Sequence, residues 1–347
     1  MKQLKNRPVL FLLATIFSFA LLTGSALSAP ARVYKLRLGA VSSLPSPGAR
    51  FVLEFKGILE KATDGRISVE AYHSGTLGTT TQMIQGLQDG SIEGVCVPIN
   101  YYESYVPELG VLGIPMFFDS GEQAYRLCGE KGTELNEVIT RMMAEKGFTL
   151  ATLLISSDSK IISLTPINKF EDLKGMKIWC LPNKLVVSTM NAFGAAPVNF
   201  DTGDLAVGIQ QKTIDGAYTG TTLLAPQKLY ETAKYFFISD VSINFNIQSL
   251  VYSKEFTDSL PPDLLEILLE TSVKADREVY LPMNTDYMNE SLYEIIDAPG
   301  MTVTYADEEF ITKARAAVAH LAGEFLEKVP SAQHFYDVAK KAIEADR

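Results

Sequence analysis

Reactive side chains are scarce in this chain: 347 residues hold three cysteines, three histidines and one tryptophan. His73, His320 and His334 stand far apart with no metal-ligand spacing between them, so no metal centre is expected. There is no G-x-S-x-G elbow, no Walker loop and no G-x-G-x-x-G, and the carboxylates are scattered along helix faces. No catalytic set and no cofactor site is therefore expected. Cys96, Cys128 and Cys180 are odd in number and widely spaced, two of them in the apolar runs GVCVP and KIWCLP. They read as small buried hydrophobes, with a single disulfide left open. Positive charge is also short, 31 basic against 41 acidic residues for a net −10, which disfavours nucleic acid and anionic membrane as partners.

Long apolar runs are missing except at the start. Lys2, Lys5 and Arg7 precede Val9–Leu22, an uncharged stretch too short for a typical span, and small residues follow to Ala29. This is the pattern of a secretory signal peptide, with Ala26 and Ser28 suited to cleavage after Ser28; an uncleaved anchor is the alternative. Cleavage leaves 319 of the 347 residues and moves the charge from −10 to −13. The remainder, 47% apolar and 21% charged over the whole chain, can bury a large core and lacks a membrane-spanning run.

What is present is an alternation of strand and helix. Val33–Ala40, Ile67–His73 and Ile92–Pro98 read as strands, separated by helical periods over Ser46–Ala62 and Thr79–Gln88. This βαβαβ order implies a parallel sheet covered by helices. A long helix is predicted over Gly121–Lys146. A second unit follows, with strands at Met176–Leu181, Val198–Phe200, Ile214–Tyr218 and Ile243–Tyr252 and helices at Lys184–Phe193 and after Asp201 or Thr202. Pro261 to about Ile296 keeps a helical period almost throughout, longer than most globular helices. The segment from Asp307 is helical with a break near Pro330. Two α/β lobes with no linker, in an exported acidic chain, point to a hinged binding protein whose ligand sits at the carboxyl ends of the strands.

The segment Asp172-Leu-Lys-Gly-Met-Lys-Ile-Trp-Cys-Leu-Pro-Asn183, with Phe193-Gly194-Ala195 and Gln210-Gln-Lys-Thr-Ile-Asp215-Gly216, resembles the solute-binding proteins of tripartite ATP-independent periplasmic (TRAP) transporters, the DctP family. Asp64-Gly65-Arg66-Ile67, Gly75-Thr76-Leu77-Gly78, Leu87-Gln-Asp-Gly-Ser91, Tyr105-Val-Pro-Glu108 and Ile114-Pro115 fit the same pattern in order, across nearly the whole mature chain. The resemblance implies a two-lobed periplasmic binding protein fold with a long helix spanning both lobes. It implies lobe I at 29–156 plus about 243–262, lobe II at 157–242, and 263–347 packing on both. It implies a periplasmic receptor that delivers a small organic solute to the membrane subunits of a secondary transporter.

The family's members mostly grip organic acids through an arginine in the strand pattern K-I-R-V-P, by two parallel hydrogen bonds. Here that place holds Trp179, and the position of a second arginine found in some members holds Ser159. An indole cannot neutralise a buried carboxylate. Three explanations stay open. The solute is aromatic, apolar or amine-containing and stacks on Trp179 and Tyr218; or an acid is held by Lys160, Arg50 or backbone N–H groups; or Trp179 is core and the site has moved.

The family often places an asparagine contact a few residues after Asp-Gly, and here Asp215-Gly216 leads to Ala217, Tyr218 and Thr219. Strand-end position adds Ser43, Tyr72, Asn100, Tyr101, Asn183, Phe200 and Asn246 as candidate ligand contacts, with Ser42 beside Ser43, His73 near the cleft and Asp158 able to face a cation. An exported enzyme would have only Ser159 with His73 to work with. A ligand presenter to a membrane sensor is a third class.

Overall fold

The structure, a computed structural model, describes residues 32–239 and 243–346, with the backbone alone for 155–158. The expected leader at 1–28 lies outside the described residues.

The first strands and helices follow the sequence periods closely. β1 (Tyr34–Ala40), α1 (Pro47–Ala62), β2 (Ile67–Tyr72), α2 (Thr80–Gln88) and β3 (Gly94–Pro98) form the βαβαβ unit, with β1 parallel to both β2 and β3. Two 3-10 segments, Ile99–Ser104 and Pro107–Gly113, carry the chain away from β3. The single helix expected over Gly121–Lys146 is interrupted. α3 (Gly121–Ala124) runs into a π-helical turn at Tyr125–Gly129, and α4 (Glu134–Glu145) starts afresh. The reason is local: Gly132 takes φ +89°, and the Thr133 hydroxyl accepts from the Asn136 N–H to cap a new helix.

Residues 148–163, to which the sequence periods gave no strand, form β4 (Phe148–Ser163), the longest strand of the fold. Then come β5 (Lys177–Cys180), α5 (Lys184–Ala192), β6 (Ala196–Val198), α6 (Leu205–Gln210), β7 (Gly216–Gly220), α7 (Thr221–Leu224) and β8 (Tyr235–Ile238). β9 (Phe245–Ser253) and α8 (Lys254–Ser259) lead to α9 (Pro262–Ala275), a π-helical turn at Asp276–Tyr280 and α10 (Leu281–Ile296), continuous over 35 residues. The wide turn lies just before Pro282, which has no N–H to offer the preceding turn. β10 (Thr302–Tyr305), α11 (Glu308–Lys328) and α12 (Gln333–Asp346) close the chain. β8 and β10 are short pairing strands that the sequence reading missed; β10 lies between the long helix and the helical segment expected from Asp307.

The strand order is β2-β1-β3-β9-β4-β7-β5-β6, with β8 also on β4 and β10 on β8. β4 joins two strand sets. Through Asp158 it pairs antiparallel with β9, and from Ser159 onward with β7 and β8. Alternation along the strands then fills two faces on each set. In the first set, Val95 and Val97 face a core with Tyr102, Phe148 and Phe335, while Leu36, Leu38 and Cys96 face one with Phe51 and Phe55. In the second set, Ile178, Cys180 and Tyr218 face the α5 and α11 side, while Trp179 and Ala217 face the α6 and α7 side. The long helix reaches both sets. Leu264 and Leu268 of α9 join the Phe51–Phe55 core, and Ile295 of α10 joins the Trp179 core. Among the described residues no helix is long and apolar enough to cross a membrane.

Candidate functional site

Parallel strands leave their loops at the carboxyl end, and a cavity forms there at the join between the two strand sets. Its volume is about 320 Å³. β3 delivers Asn100, Tyr101 and Glu103 on the 3-10 turn that follows it; β5 delivers Leu181 and Asn183; β7 delivers Thr219, with Thr222 and Leu223 behind it on α7. The start of β9 contributes Asn244 to Ile247, and β4 contributes Ser159 where it changes partner from β9 to β7. Both strand sets thus supply walls to one space.

Several of the wall residues are already tied. The Asn183 side-chain oxygen accepts from the backbone N–H groups of Leu185 (2.9 Å) and Val186 (3.2 Å), capping α5. Asn244 accepts from the Tyr218 hydroxyl at 3.1 Å and donates to the Gly113 carbonyl at 3.2 Å, linking the segment after β3 to β7. Thr219 is buried, Tyr101 half exposed, and Glu103 sits between. Burial pushes the Glu103 carboxyl up to about 7, against the pull of the Lys184 ammonium on the first turn of α5. No hydrogen bond or ion pair of the Glu103 carboxylate is found among the described residues.

Of the eleven contacts expected from sequence, six line this cavity: Asn100, Tyr101, Ser159, Asn183, Thr219 and Asn246. Five stand elsewhere. Trp179 is 1% exposed, packs with Leu205, Ile209 and Leu224, and donates its indole N–H to the Phe200 carbonyl at 3.1 Å. Its place on the α6 and α7 face follows from strand parity: Ile178 and Cys180 take the opposite face, so Trp179 must take this one. The indole expected to form the solute surface thus stands in a core and not on the cavity wall. Tyr218 is equally buried, on the other face of the same set, and is tied to the cavity wall by its hydrogen bond to Asn244. Phe200 lies beside Trp179 at 6.5 Å between ring centres. Tyr72 donates to Glu70 at 3.1 Å on edge strand β2, and Ser43 is exposed in the loop before α1.

The wider candidates divide in the same way. Arg50 pairs with Glu54 on the exposed side of α1, and His73 meets the Ser74 hydroxyl at 2.9 Å rather than Ser159. Neither lines the cavity, nor do Ser42 and Lys160. The side chain of Asp158 lies outside the described residues. No group of acidic, histidine or cysteine residues suited to a metal ion is found among the described residues. The three cysteines are free and buried, as small hydrophobes would be.

Sequence reasoning missed Glu103, Asn244, Thr202 and Thr222. A signal for Glu103 existed: it follows Asn100 by three residues, and in a 3-10 turn residues three apart share a face. Asn244 carried none, because nothing local marks a loop residue that hydrogen-bonds across to β7.

The chain matches the family model described as "Bacterial extracellular solute-binding protein, family 7" over residues 38–328. It is similar to the ectoine/5-hydroxyectoine-binding periplasmic protein UehA of Ruegeria pomeroyi, 25% identical over 280 residues, 80% of each chain. Among solved structures it is similar to a TRAP periplasmic solute-binding protein from Ochrobactrum anthropi, with a TM-score of 0.83 at 23% identity over 91% of this chain and 98% of that one. It is also similar to one from Chromohalobacter salexigens with bound D-glucuronate, with a TM-score of 0.78 at 19% identity over 88% and 99%.

Proposed function

This chain belongs to family 7 of the bacterial extracellular solute-binding proteins, the TRAP solute-binding family, and on that premise we propose that it is a periplasmic receptor that encloses one small polar organic solute in the cavity at the join of its strand sets and hands it to the membrane subunits of a TRAP transporter. One observation carries the reading: the cavity draws hydrogen-bonding side chains from the carboxyl ends of β3, β5 and β7 together, where a closing hinge would bury a solute. Its volume of about 320 Å³ is at the low end for small-molecule sites and suits a solute of the size named for the relatives, ectoine or D-glucuronate.

The lobes we assign are 29–156 with about 243–262, and 157–242, with 263–347 resting on both. The partner switch of β4 at Asp158 and Ser159 and the entire pairing of β9 with β3 and β4 support that division. Export by the N-terminal leader, cleaved near Ser28, would put the receptor in the periplasm. The aromatic or apolar solute rested on Trp179 and Tyr218, and their burial in the core removes its support. The amine-containing solute rested on the same two side chains, and the acid alternative on Lys160, Arg50 or backbone N–H groups, of which neither side chain lines the cavity. An enzyme gains none, because His73 and Ser159 are not brought together at the cavity.

The test is native mass spectrometry of the protein purified from a periplasmic extract, followed by a thermal-shift screen with the molecule released. A stoichiometric small solute that raises Tm and dissociates unchanged is expected. Turnover of that molecule, or no bound solute and no shift with any compound, would overturn the reading.

A further inference from the structure

The charge pattern of the cavity goes one step beyond its assignment as a solute site, and rests on that assignment. Among the described lining residues there is no lysine, arginine or histidine, and Glu103 is the one carboxylate. The rest of the polar lining is neutral, with Asn100, Asn246, Ser159, Thr219 and Thr222 among it. Glu103 is held on the turn that begins directly after β3, three residues from Asn100, so both side chains leave the same face. Apolar side chains share the lining, Ile99, Leu112, Val186 and Leu223 among them, and lower the dielectric of the cavity.

A carboxylate in that place has three possible fates when the lobes close. Left ionised and unpaired, it is buried at a large desolvation cost. Beside an anionic solute, it adds like-charge repulsion in a poorly screened space. Paired with a cation on the solute, it gains a charge-assisted hydrogen bond where such bonds are strongest. The nearest protein cation acting on it, Lys184, is not part of the lining and leaves its carboxyl raised rather than lowered.

We infer that Glu103 is the specificity-determining anchor of the cleft, and that the solute carries a cationic nitrogen, an ammonium, amidinium or guanidinium group, bound to the Glu103 carboxylate while the neutral amides and hydroxyls take the solute's remaining polar atoms. The anchor thus sits on the turn after β3 and not at the arginine place of the sequence pattern on β5, and bears the opposite sign.

A thermal-shift screen with a matched library of cationic-nitrogen solutes and carboxylates, including ectoine, choline, putrescine and D-glucuronate, is followed by calorimetry on the hits. Hits in the cationic half are expected. Glu103→Gln keeps the size and removes the charge, and should weaken a cationic hit about 10- to 100-fold. Glu103→Asp should weaken it less, and Lys184→Met, by removing a competing cation, should tighten it. Hits confined to carboxylates, unchanged or improved by Glu103→Gln, would overturn the inference while leaving the receptor standing. The same holds if Lys184→Met and Glu103→Gln weaken a cationic hit equally, because that is the signature of a lobe-to-lobe latch. No hit in either half would remove both the inference and the receptor. Unfolding curves of each variant confirm that a lost signal is lost binding.

Discussion

Asp276 offers a quantitative test of how the long helix is seated. It lies in the wide turn between α9 and α10, 1% exposed, and its Oδ2 accepts from the Tyr125 hydroxyl (2.9 Å) and the Thr152 hydroxyl (3.1 Å). Its Oδ1 is buried with no partner. Burial therefore outweighs the two hydrogen bonds and pushes the carboxyl up to about 6, from the ordinary 3.8. An acid whose folded value lies above its unfolded one binds its proton more tightly when folded. The fold is then stabilised as pH falls through about 6, and the gain is complete below about 4. At about 1.36 kcal/mol per pH unit the full gain is about 3 kcal/mol, of which about 1.4 kcal/mol is present at about pH 5.

Other carboxylates titrate over the same range, so the observable is a difference between two proteins. Asp276→Asn keeps one oxygen to accept from Tyr125 and Thr152 but places an N–H₂ where Oδ1 found no partner, a cost of about 1–3 kcal/mol that does not change with pH. The quantity Tm(wild type) minus Tm(Asp276→Asn), measured by differential scanning calorimetry, should therefore grow by about 2 °C between about pH 8 and about pH 5, at about 1.5 °C per kcal/mol for a chain of this size. A flat difference would mean that Asp276 is solvated or paired in solution. A difference that shrinks toward acid would mean that its carboxylate is stabilised when folded, and the account of the helix seat would be wrong.

Other outcomes follow from particular contacts. Trp179→Phe should cost about 1–3 kcal/mol of stability through the lost indole bond and the space left behind, yet leave solute affinity unchanged. The native tryptophan emission should be blue-shifted and indifferent to iodide and to solute, and a Trp179→Arg protein that gained affinity for simple acids would restore the indole to the site. Affinity for a cationic solute should rise with pH from about 5.5 to about 8, as Glu103 ionises through about 7 with Lys184 the charged group acting on it and Tyr101 the other ionisable wall residue; calorimetry showing the reverse slope would assign Glu103 the role of a neutral donor. Gly216→Ala should destabilise by about 1–3 kcal/mol or more, because a Cβ there comes within 2.6 Å of the Ile162 carbonyl oxygen on β4, a backbone atom that cannot swing aside; an unchanged Tm would show that β4 and β7 are spaced more loosely. The folded protein should leave a thiol reagent unreacted, since burial lifts Cys96 and Cys128 to about 12, and fast labelling before unfolding would contradict their placement.

Much of the fold was legible because its information is local. The turn at Asp64-Gly65, the helical periods over Ser46–Ala62 and Thr79–Gln88, and the one that runs from Pro261 to about Ile296 rest on neighbours a few residues apart, and each appears in the structure. Strand ends were legible for the same reason, and six of the expected contacts do stand around the cavity. β4 was not, because its pairing changes from β9 to β7 midway and leaves no single period to read. β8 and β10 were not, because four-residue strands are defined by each other across more than sixty residues.

The sequence by itself determined the class of protein: an acidic chain with an N-terminal leader pattern, two α/β units, no catalytic set, and an ordered series of turns shared with one family. It also determined that the family's arginine is missing at position 179, since identity at a position needs no coordinates. Only the tertiary structure decided what that absence means. Whether a strand residue points at a solute or at a helix depends on which face of the sheet each helix covers, and that is fixed by packing among distant segments. Packing sent Trp179 into a core and left Glu103, on the short turn after β3, as the one charged group among the described residues that line the site.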